Sequence, residues 1–143
     1  MRMTNWKTVA YWGVTVLFSG IMLLSAWLYL SGTASIRETL TGLGYPAYIL
    51  LILGTAKLLG AIALIQSRWP TLREWAYAGF TVNFVGATAS HLLAGDALGL
   101  AIVPAAFLVP LAVSYVLQPD RFFAISHLLE SGQPGPSQVT MAP

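Results

Sequence analysis

Four long apolar segments, separated by shorter polar ones, dominate the pattern of this chain. The apolar segments cover residues 8–30, 47–65, 75–93 and 98–117. Each has close to the 20 or so residues that a helix needs to cross a bilayer core about 30 Å thick. The pattern therefore predicts an all-α fold, a four-helix transmembrane bundle over residues 8–120, preceded by a short N-terminal segment at 1–7.

The segments between and after these spans are polar. Residues 31–46 form a polar connector, 66–74 a tight loop and 94–96 a short turn. Residues 121–130 place apolar side chains on one helical face, which favours a short interfacial helix, although an unstructured segment fits nearly as well. Residues 131–143, rich in Pro, Gly, Ser and Gln, predict a disordered tail.

Composition supports an integral membrane protein. The chain of 143 residues is 57% hydrophobic and 8% charged, whereas soluble domains carry about 25% charged residues. The net charge is only +2 and the basic residues do not cluster, which argues against a nucleic-acid partner. The absence of cysteine excludes thiolate catalysis, iron–sulfur clusters and thiolate zinc sites.

The charges of the short loops predict an orientation. On one side of a four-span layout lie five basic residues, Arg2, Lys7, Arg68, Arg73 and Arg121. The other side carries Arg37 alone. Because basic residues concentrate in cytoplasmic loops, both termini are predicted to be cytoplasmic.

Lys57 is the polar residue that most needs an explanation, because it lies near the middle of the second span. A charge there costs about 2.5–3.5 kcal/mol on insertion scales. Asn83, in the third span, lies at the same depth, about 12 Å from the cytoplasmic end. His91 lies nearer the outer end, and helix directions aim the side chains of Lys57 and His91 toward a common depth. We therefore expect an intramembrane polar or ligand site, capped on its outer side by Glu38, Tyr45 and Asp96.

Small residues share helix faces with these polar groups. They are Gly54, Gly60, Gly79, Gly86 and Ser90. Because small residues let membrane helices approach closely, we expect the second and third spans to pack along these faces. Lys57 and Asn83 would then lie near the contact.

Each polar residue also has a structural interpretation. Lys57 fits a tie to Asn83, Ser90 or backbone carbonyls about as well as a ligand- or proton-handling group, and a lipid-facing position less well. Asn83 fits an interhelical clasp, and His91 a hydrogen-bonded structural histidine. The remaining three fit surface or capping roles: Glu38 in solvent, Tyr45 at the membrane interface and Asp96 as the cap of the fourth helix.

Four motifs, in this order and spacing, resemble one known family. They are Gly44-Tyr45-Pro46, then Leu53-Gly54-x-x-Lys57-Leu58-Leu59-Gly60, then Arg73-Glu74-Trp75-Ala76-Tyr77-Ala78-Gly79-Phe80, then Ser90-His91 with Gly95-Asp96. Over residues 11–120 the chain resembles the DoxX-like membrane proteins. The resemblance implies a four-helix transmembrane bundle, mostly bacterial, in the inner (plasma) membrane. Some wider relatives are linked to oxidoreductase systems, among them the DoxD-type subunit of a thiosulfate:quinone oxidoreductase.

The resemblance and the polar groups together favour a redox-associated accessory subunit that binds a quinone or another small apolar ligand. Lys57 or His91 would donate hydrogen bonds to the quinone carbonyls. The sequence shows no haem, flavin or metal motif and no catalytic centre of its own, so electron transfer would need a redox enzyme as partner. A proton or small-solute carrier and a non-catalytic membrane scaffold are the alternatives. Besides the lipid bilayer, a second copy of the chain is a further candidate partner.

Overall fold

The structure, a computed structural model, describes residues 5–118, and this part of the chain is helical with no strand. Its helices are α1 (Asn5–Leu30), α2 (Ala34–Gly42), α3 (Ile49–Ile65), α4 (Pro70–Leu93), α5 (Leu98–Ala106) and α6 (Leu108–Val116). The predicted all-α class is confirmed for these residues. The interfacial helix at 121–130 and the tail at 131–143 lie outside the described residues.

The structure differs from the sequence prediction in the connector before α3 and in the loop before α4. The connector at 31–46 contains the helix α2, which hydrophobic patterning misses because the segment is short and mostly polar. The loop at 66–74 is shorter than predicted, since α4 begins at Pro70. Proline suits the first turn of a helix because its missing N–H has no intrahelical partner there. As a result Arg73 belongs to a helix and not to a loop.

The last of the four apolar segments is interrupted at Phe107, which separates α5 from α6. Pro110 cannot donate to the carbonyl of Ala106, and a proline ring clashes with the carbonyl four residues before it. The Phe107 N–H instead donates to the carbonyl of Pro104 at 3.2 Å, a tighter turn than the α-helical one. The two short helices together cover Leu98–Val116, long enough and apolar enough to cross a membrane.

The helices contact one another in cyclic order. The most extensive contact is between α1 and α3. α3 also packs on α4, α4 packs on α5 and α6, and α6 packs on α1, which closes the ring. α2 lies against α1. An aromatic core joins them: the rings of Phe18 and Phe80 meet edge to face with centroids 5.3 Å apart, and Phe84 stacks on Phe107 at 5.4 Å. Such ring pairs stabilise beyond the area that they bury. The core therefore connects α1, α4 and the break between α5 and α6.

The outer surface of the helices is apolar. Leu17, Trp27, Val82 and Val109 are each more than 60% exposed, and many other large apolar side chains are exposed along the same helices. Soluble monomers rarely expose contiguous apolar surface on this scale. Two helical segments, Trp6–Leu30 and Leu98–Val116, are long and apolar enough to cross a membrane, and Ile49–Ile65 is apolar but shorter.

Candidate functional site

Lys57 is buried, with 8% of its surface exposed, and its ammonium is held by α1. Nζ donates to the Ser25 hydroxyl at 3.1 Å and lies 4.4 Å from the centroid of the Tyr29 ring. Ser25 and Tyr29 are four residues apart, so both side chains lie on one face of α1. The polar partners of the lysine therefore come from the part of α1 beyond Lys7, which carries no charge.

This arrangement corrects the expected partners of Lys57. The sequence pointed to Asn83 or Ser90 on α4, whereas among the described residues the only hydrogen-bond acceptor that Nζ reaches is Ser25. The reason is the close approach of α1 to α3 at Gly54. A Cβ on Gly54 would lie 2.9 Å from Leu30 Cγ and 3.1 Å from Tyr29 Cβ, so only glycine fits there without movement.

Lys57 faces a partly open cavity of about 470 Å³ enclosed by α1 to α5. Its wall is mostly apolar, with Met22, Leu53 and Phe84 among the lining residues. The polar side chains on the wall are Ser25, Tyr29, Thr39, Tyr45, Lys57, Asn83, Ser90 and His91. A mostly apolar wall with a few converging polar groups is typical of small-molecule sites, whose volumes run from about 300 to 1,000 Å³.

One end of the cavity carries two hydrogen-bonded pairs. His91 Nδ1 lies 2.7 Å from Asp96 Oδ2. Because a carboxylate only accepts, Nδ1 carries the hydrogen. The Ser90 hydroxyl donates to the Gly86 carbonyl at 2.8 Å, so the Tyr45 hydroxyl, 2.7 Å away, is the donor of their shared bond. These pairs fix the Tyr45 and His91 side chains on the cavity wall.

The structure thus brings together four of the six residues that the sequence proposed for a polar site. Lys57, Asn83, His91 and Tyr45 line one cavity, and Asp96 joins it through His91 without lining it. Glu38 is exposed on α2 and does not belong to the wall. The expectation that Glu38 caps the site therefore does not match the structure, because the face of α2 that reaches the cavity is that of Thr39 and Leu40.

The small residues predicted to pack the second span on the third behave differently from one another. Gly60 does contact α4, since a Cβ there would lie 2.9 Å from Phe80 Cε2. Gly54 faces α1 instead. Gly79 and Gly86 have no atom within 4 Å of an added Cβ, and both line cavities. At these two positions the missing side chain leaves space, so tight packing is not their role, and Ser90 serves as the acceptor for Tyr45.

Sequence reasoning missed Ser25, Tyr29 and Thr39. The available signal was the spacing of Ser25 and Tyr29, two hydroxyl-bearing residues four positions apart in an otherwise apolar span. This spacing places both hydroxyls on one face of a helix, but it does not show which helix packs against that face.

A second polar cluster lies at the opposite end of the helices. Arg73, predicted to be in a cytoplasmic loop, is 5% exposed, and its Nη1 donates to the Tyr11 hydroxyl at 3.1 Å. In the same cluster, Ser114 Oγ lies 2.7 Å from both Tyr77 Oη and Thr15 Oγ1. These bonds join α1, α4 and α6 through buried side chains.

The described residues offer no evident metal centre. Within residues 5–118, no three side chains of His, Cys, Asp or Glu lie close enough together to hold a metal ion. The donors around the cavity are one amine, one imidazole, one carboxamide and several hydroxyls. Such a set can hydrogen-bond to oxygen atoms of an organic ligand.

Comparison with known proteins identifies the family of this chain. No curated protein and no solved structure matches the chain. The model of the DoxX-like family matches residues 7–114, well over half of the chain and every helix that bears on the cavity. The protein therefore belongs to the DoxX-like family.

Proposed function

We propose that this DoxX-like protein is a multi-pass protein of the bacterial inner membrane, a four-helix transmembrane bundle with both termini cytoplasmic. The exposed apolar surface and the two long apolar segments support membrane insertion. α3 has 17 residues, about 26 Å of helix, and a bilayer adapts to a mismatch of a few ångströms at modest cost. With Arg73 buried in α4, the orientation rests on Arg2, Lys7, Arg68 and Arg121 against Arg37.

Within that frame, the cavity is the site of a quinone or a similar small apolar ligand. The observation that carries this proposal is the lysine on its wall. An ammonium has three N–H donors, and Ser25 takes one of those of Lys57. In the described part of the chain no carboxylate lies within ion-pair distance of it. Its remaining donors therefore suit a ligand carbonyl oxygen, and His91 offers a second polar contact on the same wall.

The redox-associated role follows from the resemblance to DoxX and DoxD proteins, together with the chemistry of this cavity. Its side chains bind and orient a ligand, but none of them carries electrons. The protein would therefore act as an accessory subunit that holds the quinone for a redox enzyme partner. The enzyme would supply the redox centre.

A carrier for protons or small solutes is the second candidate. It is favoured by the partial opening of the cavity and by the titratable pair His91 and Asp96 at one end of it. A scaffold is the third, since the bond from Lys57 to Ser25 already ties α3 to α1. In a scaffold the cavity would be incidental.

A titration of three proteins separates these candidates. The probe is tail-less 2,3-dimethoxy-5-methyl-1,4-benzoquinone, and binding is measured by calorimetry in mild detergent. Gly86→Leu adds a side chain at a position that lines the cavity and where nothing lies within 4 Å of an added Cβ. Gly20→Leu makes the same change at an equally open position that lines none of the described cavities.

We expect the unmodified protein and Gly20→Leu to bind alike, and Gly86→Leu at least tenfold more weakly. Equal binding by all three, or none by any, would contradict a quinone site in this cavity. In the latter case, quinone-independent proton uptake by vesicles containing the protein would favour the carrier. A protein that assembles but shows neither quinone binding nor proton uptake would favour the scaffold.

A further inference from the structure

A second, smaller cavity lies on the other side of Lys57. It measures about 250 Å³ and runs between α3 and α4. Lys57 and Asn83 line both this groove and the larger cavity. The two spaces therefore adjoin at the two polar residues.

The groove leads away from the polar residues along an apolar path. On α3 its lining extends from Lys57 to Ala63, about 9 Å of helix, and on α4 from Asn83 to Leu72, about 16 Å. Beyond Lys57 and Asn83 every lining side chain is apolar or absent. The groove therefore has one polar end and one long apolar end.

Small residues create the groove and large ones border it. Gly79 has no atom within 4 Å of an added Cβ, and Ala56, Gly60 and Ala76 also line the space. At the rim, Leu59 is 62% and Trp75 is 73% exposed. The groove is thus open sideways on the outer apolar surface, where acyl chains would lie in a bilayer.

We propose that this groove seats the apolar tail of the ligand whose polar head occupies the larger cavity, so that the ligand enters sideways from the membrane between α3 and α4. The inference rests on the proposed function. It adds that the natural ligand is a tailed amphiphile and that Gly79 keeps the tail path open. Lys57 and Asn83 then contact the head where the tail begins.

The groove is continuous with the larger cavity at Lys57 and Asn83, and this continuity favours a ligand tail over another occupant. A lipid chain lying on the surface would not require the groove to begin at a buried ammonium. A single flexible chain attached to a head that accepts hydrogen bonds fits both ends.

The test compares quinones that share one head and differ in tail length. The probes are 2,3-dimethoxy-5-methyl-1,4-benzoquinone without a tail and with one, two or three isoprene units. Each is titrated into the unmodified protein, Gly79→Leu and Gly20→Leu at a single detergent concentration, so that a given probe partitions into micelles equally in the three titrations and the proteins are compared probe by probe. Ala56→Phe, at an exposed position on the α3 side of the groove, repeats the block should Gly79→Leu fail to fold.

We expect affinity to rise with tail length in the unmodified protein and in Gly20→Leu, and to level off once the tail exceeds the groove. In Gly79→Leu the gain from two isoprene units should fall at least fivefold, while affinity for the tail-less probe stays within twofold. If Gly79→Leu leaves the increase in affinity with tail length unchanged while Gly86→Leu still weakens binding of the tail-less probe, the groove does not bind the tail. The proposed function would still stand in that case. Failure of the unmodified protein to bind the tail-less head would instead overturn the proposed function itself.

Discussion

The two ends of this helical protein bury polar side chains in opposite ways. At one end, hydroxyls of Thr15, Tyr77 and Ser114 bond directly to one another, and Arg73 donates to Tyr11. At the other, polar side chains stand around a cavity of about 470 Å³. Polar groups that bond only to one another hold helices in register, whereas a polar group that faces a cavity, as Lys57 does, keeps hydrogen-bond donors for a ligand.

The contrast is clearest between the two buried cations. Arg73 and Lys57 are 5% and 8% exposed. The guanidinium lies among residues that bond across three helices, while the ammonium lies where one hydroxyl and one aromatic face meet an open cavity. The first arrangement predicts a structural role and the second a binding role. The predictions below test this division.

The largest effect is expected where α1 meets α3. Gly54→Leu would force a side chain into Leu30 and Tyr29, the closest approach between the two helices. Overpacking typically costs up to about 3 kcal/mol, and here it would also move Tyr29 away from Lys57. Reversible unfolding in mixed micelles should show that loss, with Gly20→Leu changing by no more than about 0.5 kcal/mol. Equal stabilities would mean that the close approach is not needed.

A smaller loss of stability is expected at the other end. Ser114→Ala removes a hydrogen-bond partner of Tyr77 and of Thr15, which both bond to it inside the protein. Leaving a buried hydroxyl unsatisfied costs about 1–3 kcal/mol, and we expect about 2 kcal/mol in the same unfolding assay. Ser67→Ala, at an exposed loop position, is the control. Quinone affinity should stay unchanged, and a loss of binding here would break the division between the two ends.

Ser25→Ala sharpens the comparison from the cavity side. It removes the hydroxyl that accepts from Lys57 but keeps the Tyr29 ring beside the ammonium. We expect the free energy of unfolding to fall by about 1 kcal/mol, less than for Ser114→Ala, because water or ligand in the cavity can replace the lost acceptor. The same unfolding assay measures it. A loss as large as that of Ser114→Ala would make Lys57 a structural tie.

The smallest effect is expected at Glu38, which is exposed and lies off the cavity wall. Glu38→Gln should leave both stability and quinone affinity within the error of measurement, since surface substitutions usually stay within about 0.5 kcal/mol. Calorimetric titration of the tail-less quinone checks the second part. A clear change in affinity would place the Glu38 side chain in the site after all.

The long apolar helices of this fold follow from hydropathy, whereas the order in which the helices pack on one another does not. Long uncharged runs indicate helices. A charged residue within such a run, as Lys57 is, requires polar interaction partners from neighbouring helices. Which helix supplies these partners depends on which helices pack against each other. The small residues of α3 and α4 suggested α4, but Gly54 lets α1 come closest.

The remaining differences have local causes. Ala34–Gly42 is short and polar, so no periodic apolar pattern marks it as a helix. Arg73 looks like a loop charge in the sequence, yet the helical start at Pro70 turns it inward to Tyr11. Glycines at 79 and 86 look like packing residues, because a sequence does not distinguish a glycine that permits contact from one that leaves space. The cavity and its groove depend on that distinction.

The central claim is that the buried ammonium serves a ligand more than it serves the fold, and Lys57→Met tests it most directly. The measurement is tail-less quinone affinity set beside the free energy of unfolding of the same preparation. Removing a buried charge should leave stability equal or higher, while affinity falls at least tenfold, about 1.4 kcal/mol. A variant that unfolds more easily yet binds quinone as tightly as the unmodified protein would contradict the account.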